Sequence, residues 1–80
     1  MAKARQLISG ATYDPATLKM LDQAFDDAWS DIAGNYQSIL AIQAARLKLA
    51  NVVLSVAAEG ERDPKTLKDR AVRIMSVDAP

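Results

Sequence analysis

The chain has 80 residues, ten basic and ten acidic, with neither cysteine nor histidine. That length supports one domain, and the missing residue types exclude disulfides, thiol chemistry, iron–sulfur ligation and the commonest general base and metal ligand. Balanced charge also lacks the basic footprint that binding to a phosphate backbone requires.

Residues 1–12 are small and polar with Ser9-Gly10 as a breaker pair, and they read as a flexible arm in which Leu7 and Ile8 could dock. The arm is positively charged but has no apolar run of signal-peptide length. With no disulfides to reinforce a thin core, a reducing, cytoplasmic setting is expected.

Asp14-Pro15 is a helix start signal: the aspartate can accept an orphan amide hydrogen bond, and proline lacks the amide that would otherwise be orphaned. Leu18, Leu21, Phe25, Ala28, Trp29 and Ile32 then fall within about 100° of one another on a helical wheel. A helix over 15–33 is expected, with a turn at 34–37 where Gly34-Asn35 can take a left-handed backbone. A continuous helix through Gly34 is the competing reading. Residues 14–31 carry five aspartates against one lysine, a local net of −4.

The next stretch, SILAIQAARLKLANVVLSVAAE, organises the rest. Ser38 can cap it and Gly60 can end it, so a helix over 38–59 is expected. Its apolar positions cover roughly two-thirds of the circumference, where a surface helix needs about one-third. Such a helix must meet neighbours on two sides. Length alone would suggest a membrane span, but Gln43, Arg46, Lys48 and Asn51 interrupt it.

Asp63-Pro64 repeats the start signal, and Asp63-Pro64-Lys65-Thr66-Leu67-Lys68 echoes Asp14-Pro15-Ala16-Thr17-Leu18-Lys19. Convergence on a good helix start explains this more simply than an internal duplication does. A short helix over 64–76 is expected, with Leu67, Ala71, Ile74 and Met75 on one face and Lys65, Lys68, Arg70 and Arg73 pointing away from it. Residues 77–80 read as a tail.

The predicted fold is therefore all-α: a single helical domain over 13–76, in which an antiparallel hairpin (15–33 and 38–59) is closed by the third helix. The wide apolar arc exceeds what two other helices can cover, which points to a homodimer sharing a core.

The motif D-P-x-x-L-x-x-L-x-x-A-F-D-x-A-W (Asp14 to Trp29), with A-R-L-K-L-A (Ala45 to Ala50) and G-E-R-D-P (Gly60 to Pro64), resembles a group of small α-helical alphaproteobacterial proteins. The likeness spans most of residues 13–75. It implies a cytoplasmic helical protein and supplies no activity, because the group has none assigned.

Several constellations invite a chemical reading. Asp22/Asp26 and Asp27/Asp31 are each four apart and share a helix face. They could hold a divalent cation through oxygen, yet helical carboxylate metal sites also use histidine, so a solvated acidic face is expected and no metal or cofactor. Nothing perturbs these carboxylates towards acid–base work. A Gly-rich phosphate loop, a nucleophile elbow and zinc spacing are all missing. The expectation is a non-enzyme: a small protein-interaction or regulatory module. The alternative is a weak nucleic-acid binder using Arg62, Lys65, Lys68, Arg70 and Arg73. Against it, Glu61, Asp63 and Asp69 interleave with those bases.

Two sets of residues stand out. Arg46 falls inside the apolar arc, and a chain folding back near residue 35 or 36 sets it opposite Phe25. Asp22 is then its expected partner, with Asp26 second, the face of Trp29 as a lid and Gln43 in the same polar seam. Trp29, Leu40, Leu47 and Leu54 are the candidate interface residues.

Overall fold

The structure is a computed structural model that describes residues 13–78. The arm at 1–12 and the last two residues lie outside the described part. Three helices follow one another: α1 (Pro15–Ile32), α2 (Ile39–Ala58) and α3 (Pro64–Asp78). A 3-10 turn, Ala33–Asn35, joins the end of α1 to the α1–α2 connection. The described residues contain no strand.

Each helix starts as its sequence predicts, with one difference in how the start is held. Pro15 and Pro64 open α1 and α3. At α3, Asp63 accepts from the Thr66 amide at 3.2 Å and from the Thr66 hydroxyl at 2.8 Å. At α1, Asp14 makes no amide cap and accepts the Thr17 hydroxyl instead. That hydrogen bond holds the Asp14 carboxyl below its ordinary value. Ser38 caps α2 as expected, accepting from the Ala41 amide at 3.0 Å.

The helix ends differ more from expectation. Helices α1 and α2 are separate, but no left-handed residue parts them. The backbone tightens into the 3-10 turn, and Tyr36 then extends at φ −122°, ψ 131°. Among the described residues only Gly60 has positive φ, +102°, and it ends α2 as predicted. The third helix runs to Asp78, so Val77 belongs to it rather than to a tail.

Leu21, Ala24, Phe25, Ala28 and Ile32 of α1 meet Ala45, Leu49, Ala50, Val53, Val56 and Ala57 of α2, with Leu67, Ala71 and Met75 of α3. Six of these are alanines, and small residues at the contacts let the helix axes approach closely. Helix α3 is more than a lid: α1 packs more extensively against α3 than against α2. Ile74, expected on the same buried face, is only half-buried.

The two loop glycines make opposite predictions, because Gly34 sits in a right-handed turn with open space around its Cα and Gly60 does not share that backbone. Gly60→Ala is expected to cost about 1–2 kcal/mol, since a Cβ is strained at positive φ. Gly34→Ala is expected to be neutral, or stabilising by up to about 1 kcal/mol through lost freedom in the unfolded chain. Urea titration of both variants checks the contrast, and equal losses would contradict it.

Candidate interaction surface

Helix α2 has two faces, and the chain covers one of them. Its inner side carries the buried residues from Ala45 to Ala57. On the outer side Ile39 is 72% exposed, Leu40 79% and Leu47 40%, and Leu54 is half-buried. Polar Gln43, Lys48, Asn51 and Ser55 are exposed beside them. Asn51 turns its side chain back on its own helix, Nδ2 donating to the Leu47 carbonyl at 3.3 Å.

Where α1 and α2 fold back on each other, the guanidinium of Arg46 lies 5.1 Å from the centre of the Phe25 ring and 5.4 Å from that of Trp29. The register expected from the sequence, Phe25 opposite Arg46, is the one observed. A cation over a ring face is attracted by its quadrupole, so Arg46 fits an otherwise apolar seam without leaving its charge in hydrocarbon. Trp29 in turn stacks on Tyr36, 5.8 Å between centroids and 16° between planes. Trp29 is therefore half-buried between Arg46 and Tyr36. Of the carboxylates expected near Arg46, Asp22 is half-buried with Oδ1 removed from water, and Asp26 is exposed.

The basic side chains of the third helix and its approach are largely engaged within the chain. Lys68 does not point away from the other helices: its Nζ lies 2.8 Å from Asp31 Oδ2 on α1 and 3.6 Å from Asp69. Asp31 stands in the last turn of α1, where a negative charge opposes the helix dipole, and Lys68 compensates it. Arg70 pairs with Glu59 at 2.6 Å. Arg62 donates to the Ala57 and Glu61 carbonyls, both at 2.8 Å, and covers the Tyr13 ring. It thus adds a second donor to the Ala57 carbonyl at the end of α2, which also accepts from the Gly60 amide at 2.9 Å. Lys65 and Arg73 remain exposed.

A groove of about 470 Å³ lies between α1 and the start of α3, lined among others by Asp27, Asp31, Asp63, Lys65 and Lys68. Its two lysines stand among its three aspartates, which largely offset one another. Among the described residues no group of three or more acidic, histidine or cysteine side chains is placed to hold a metal.

Sequence reasoning missed Tyr36, the capping role of Arg62 and the Lys68–Asp31 pair. None leaves a local signal, because each depends on which helix ends meet. No protein-family model matches this chain, and neither curated proteins nor solved structures provide a match. With a mean hydropathy of 1.5, α2 is also long and apolar enough to cross a membrane, and Arg46 and Lys48 stand near its middle.

Two outcomes follow from these contacts. A double-mutant cycle on Arg46→Met and Asp22→Asn is expected to show coupling above about 0.5 kcal/mol, the size found for side chains in one network. Additive losses would mean that the rings alone hold the guanidinium. For Lys68, the Asp31 carboxylate raises the ammonium above its ordinary value of 10.5. Its stabilisation is therefore complete below the unfolded-state pKa and lost as pH rises through the higher folded one. The difference in melting temperature between wild type and Lys68→Met should hold across neutral pH and close above 10.5.

Proposed function

We propose that this chain is a small, non-catalytic interaction or regulatory module whose contact surface is the outer face of α2. One observation carries the reading: Ile39, Leu40 and Leu47 stand in water on a helix whose opposite face is fully packed. Singly exposed apolar side chains are ordinary, but three on one helix, with Leu40 and Leu47 seven residues apart on one side of it, support a contact surface. The position of Leu54 extends the row, and Trp29, half-buried at the α1–α2 seam, gives the same end of the molecule an aromatic anchor. A cytoplasmic setting and kinship with the alphaproteobacterial group belong to the same reading, resting on the lack of cysteine and on the shared motif.

A nucleic-acid contact through α3 has less support. Three of its five candidate bases, Arg62, Lys68 and Arg70, are already bound to carbonyls or carboxylates of this chain. Releasing them would sacrifice those contacts before any phosphate is met.

The test compares wild type with a Leu40→Asp, Leu47→Asp double variant as baits in lysate of the source cell. Both positions are exposed, so the variant is expected to keep its helical circular dichroism. Proteins held by wild type and lost from the variant support the module. Retention indifferent to the two substitutions overturns it, and retention lost steeply with added salt in both baits would favour the nucleic-acid alternative.

A further inference from the structure

Burial stops short of the start of α2. From Ala33 to Ala44 no described residue is buried, and only Ala33, Tyr36, Ala41 and Ile42 are half-buried. Residues 39–44 nevertheless belong to the helix. We propose that residues 33–44 form a separately opening unit: the hairpin corner and the start of α2 unfold and reclose together while the three-helix core stays packed.

The core sets both limits of the unit. Ile32 is buried on one side of it and Ala45 on the other, and just beyond Ala45 the Arg46 guanidinium lies over Phe25 and Trp29. Short helices owe their stability to packing more than to their hydrogen bonds, and packing is what residues 39–44 lack. The start of α3 makes the contrast. The Ile42 amide donates to the Ser38 carbonyl and the Leu67 amide to the Asp63 carbonyl, both at 2.9 Å. These are equivalent places in the two helices, yet Leu67 is fully buried and Ile42 is not.

Opening the unit therefore costs little. It frees the backbone of every residue in it. The hydrogen bonds given up, among them the Ser38 cap on Ala41 at 3.0 Å, are replaced by water at small net loss. Ile39 and Leu40 are already 72% and 79% exposed, so opening adds little apolar surface. Segments with these features open well below the free energy of global unfolding. The connection closes onto the core through Tyr36, whose ring stacks on Trp29 at 5.8 Å between centroids. The unit does not depend on the reading of α2 as a contact surface. Where that reading holds, Ile39 and Leu40 are presented as helix only in the closed form, and the Tyr36–Trp29 stack helps set how much of the chain is ready to bind.

Native-state amide hydrogen exchange on the whole chain, followed by NMR at low urea, tests the unit. Each helical amide donates four residues back, so carbonyls of the unit serve amides up to Lys48, and Leu49 is the first to bond outside it, to Ala45. Expected is one common protection from Ile42 to Lys48, at least about tenfold below that of Leu49 and Val53 and nearly insensitive to urea. Tyr36→Ala is expected to speed both groups of amides by the same factor, because both openings lose the stack. Protection that climbs steadily from Ile42 with no step at Leu49 is fraying of a helix end and overturns the unit. Protection of Ile42 to Lys48 equal to that of Val53 overturns it as well, since those amides would then open only with the core. A Tyr36→Ala variant that speeds the core amides alone contradicts closure through Tyr36. Should that variant fail to fold, the step at Leu49 in the wild type decides by itself.

Discussion

Helix α2 is apolar round most of its circumference, and among the described residues α1 and α3 cover one side of it. Every other feature follows from that one-sided cover. Helices α1 and α3 are both committed to the inner face, where they also pack on each other. What they bury is modest, because so much of the contact is alanine. Alanines bring the backbones close but remove little apolar surface per residue. Phe25, Leu21, Leu49 and Leu67 therefore supply a disproportionate share of the burial, at about 1.5–3 kcal/mol for each large side chain.

Arg46 is how the hairpin tolerates a charge in that setting. A lone buried guanidinium would be expensive, and stacking over Phe25 and Trp29 lets it remain at the seam with its apolar stem and its charge both accommodated. Such an arrangement specifies register more than it adds stability, since desolvation offsets much of the attraction. A slip of one turn would move the guanidinium off both rings. The Lys68–Asp31 pair does the same for α3, tying its first turns to the end of α1. Both contacts sit at helix seams, where alternative packings of small residues would otherwise compete.

The outer face of α2 is what the fold leaves over. Leu40 and Leu47 stay exposed, while Leu54, seven residues further on, packs partly against the core. The proposed contact surface is therefore small and concentrated towards the first half of the helix.

Local chemistry was enough for much of the fold. Asp-Pro starts, the Ser38 cap, the left-handed Gly60 and the stripe from Leu21 to Ile32 are decided by side-chain periodicity and backbone preference within a few residues, so they are readable in order along the chain. The opposition of Phe25 and Arg46 was also legible, because a short turn fixes which positions face each other. Other features depended on the packed chain. Gly34 and Asn35 permit a left-handed break, but a right-handed 3-10 turn formed instead, since permission is not preference. Lys68 looked solvent-facing until α1 was brought alongside it, and Arg62 became a cap only because the α2–α3 loop turns back. Above all, periodicity showed that α2 is apolar on both sides. Only the tertiary structure decided which side α1 and α3 cover, because that depends on how the two connections return the chain; in the packed chain Leu40 and Leu47 are left exposed.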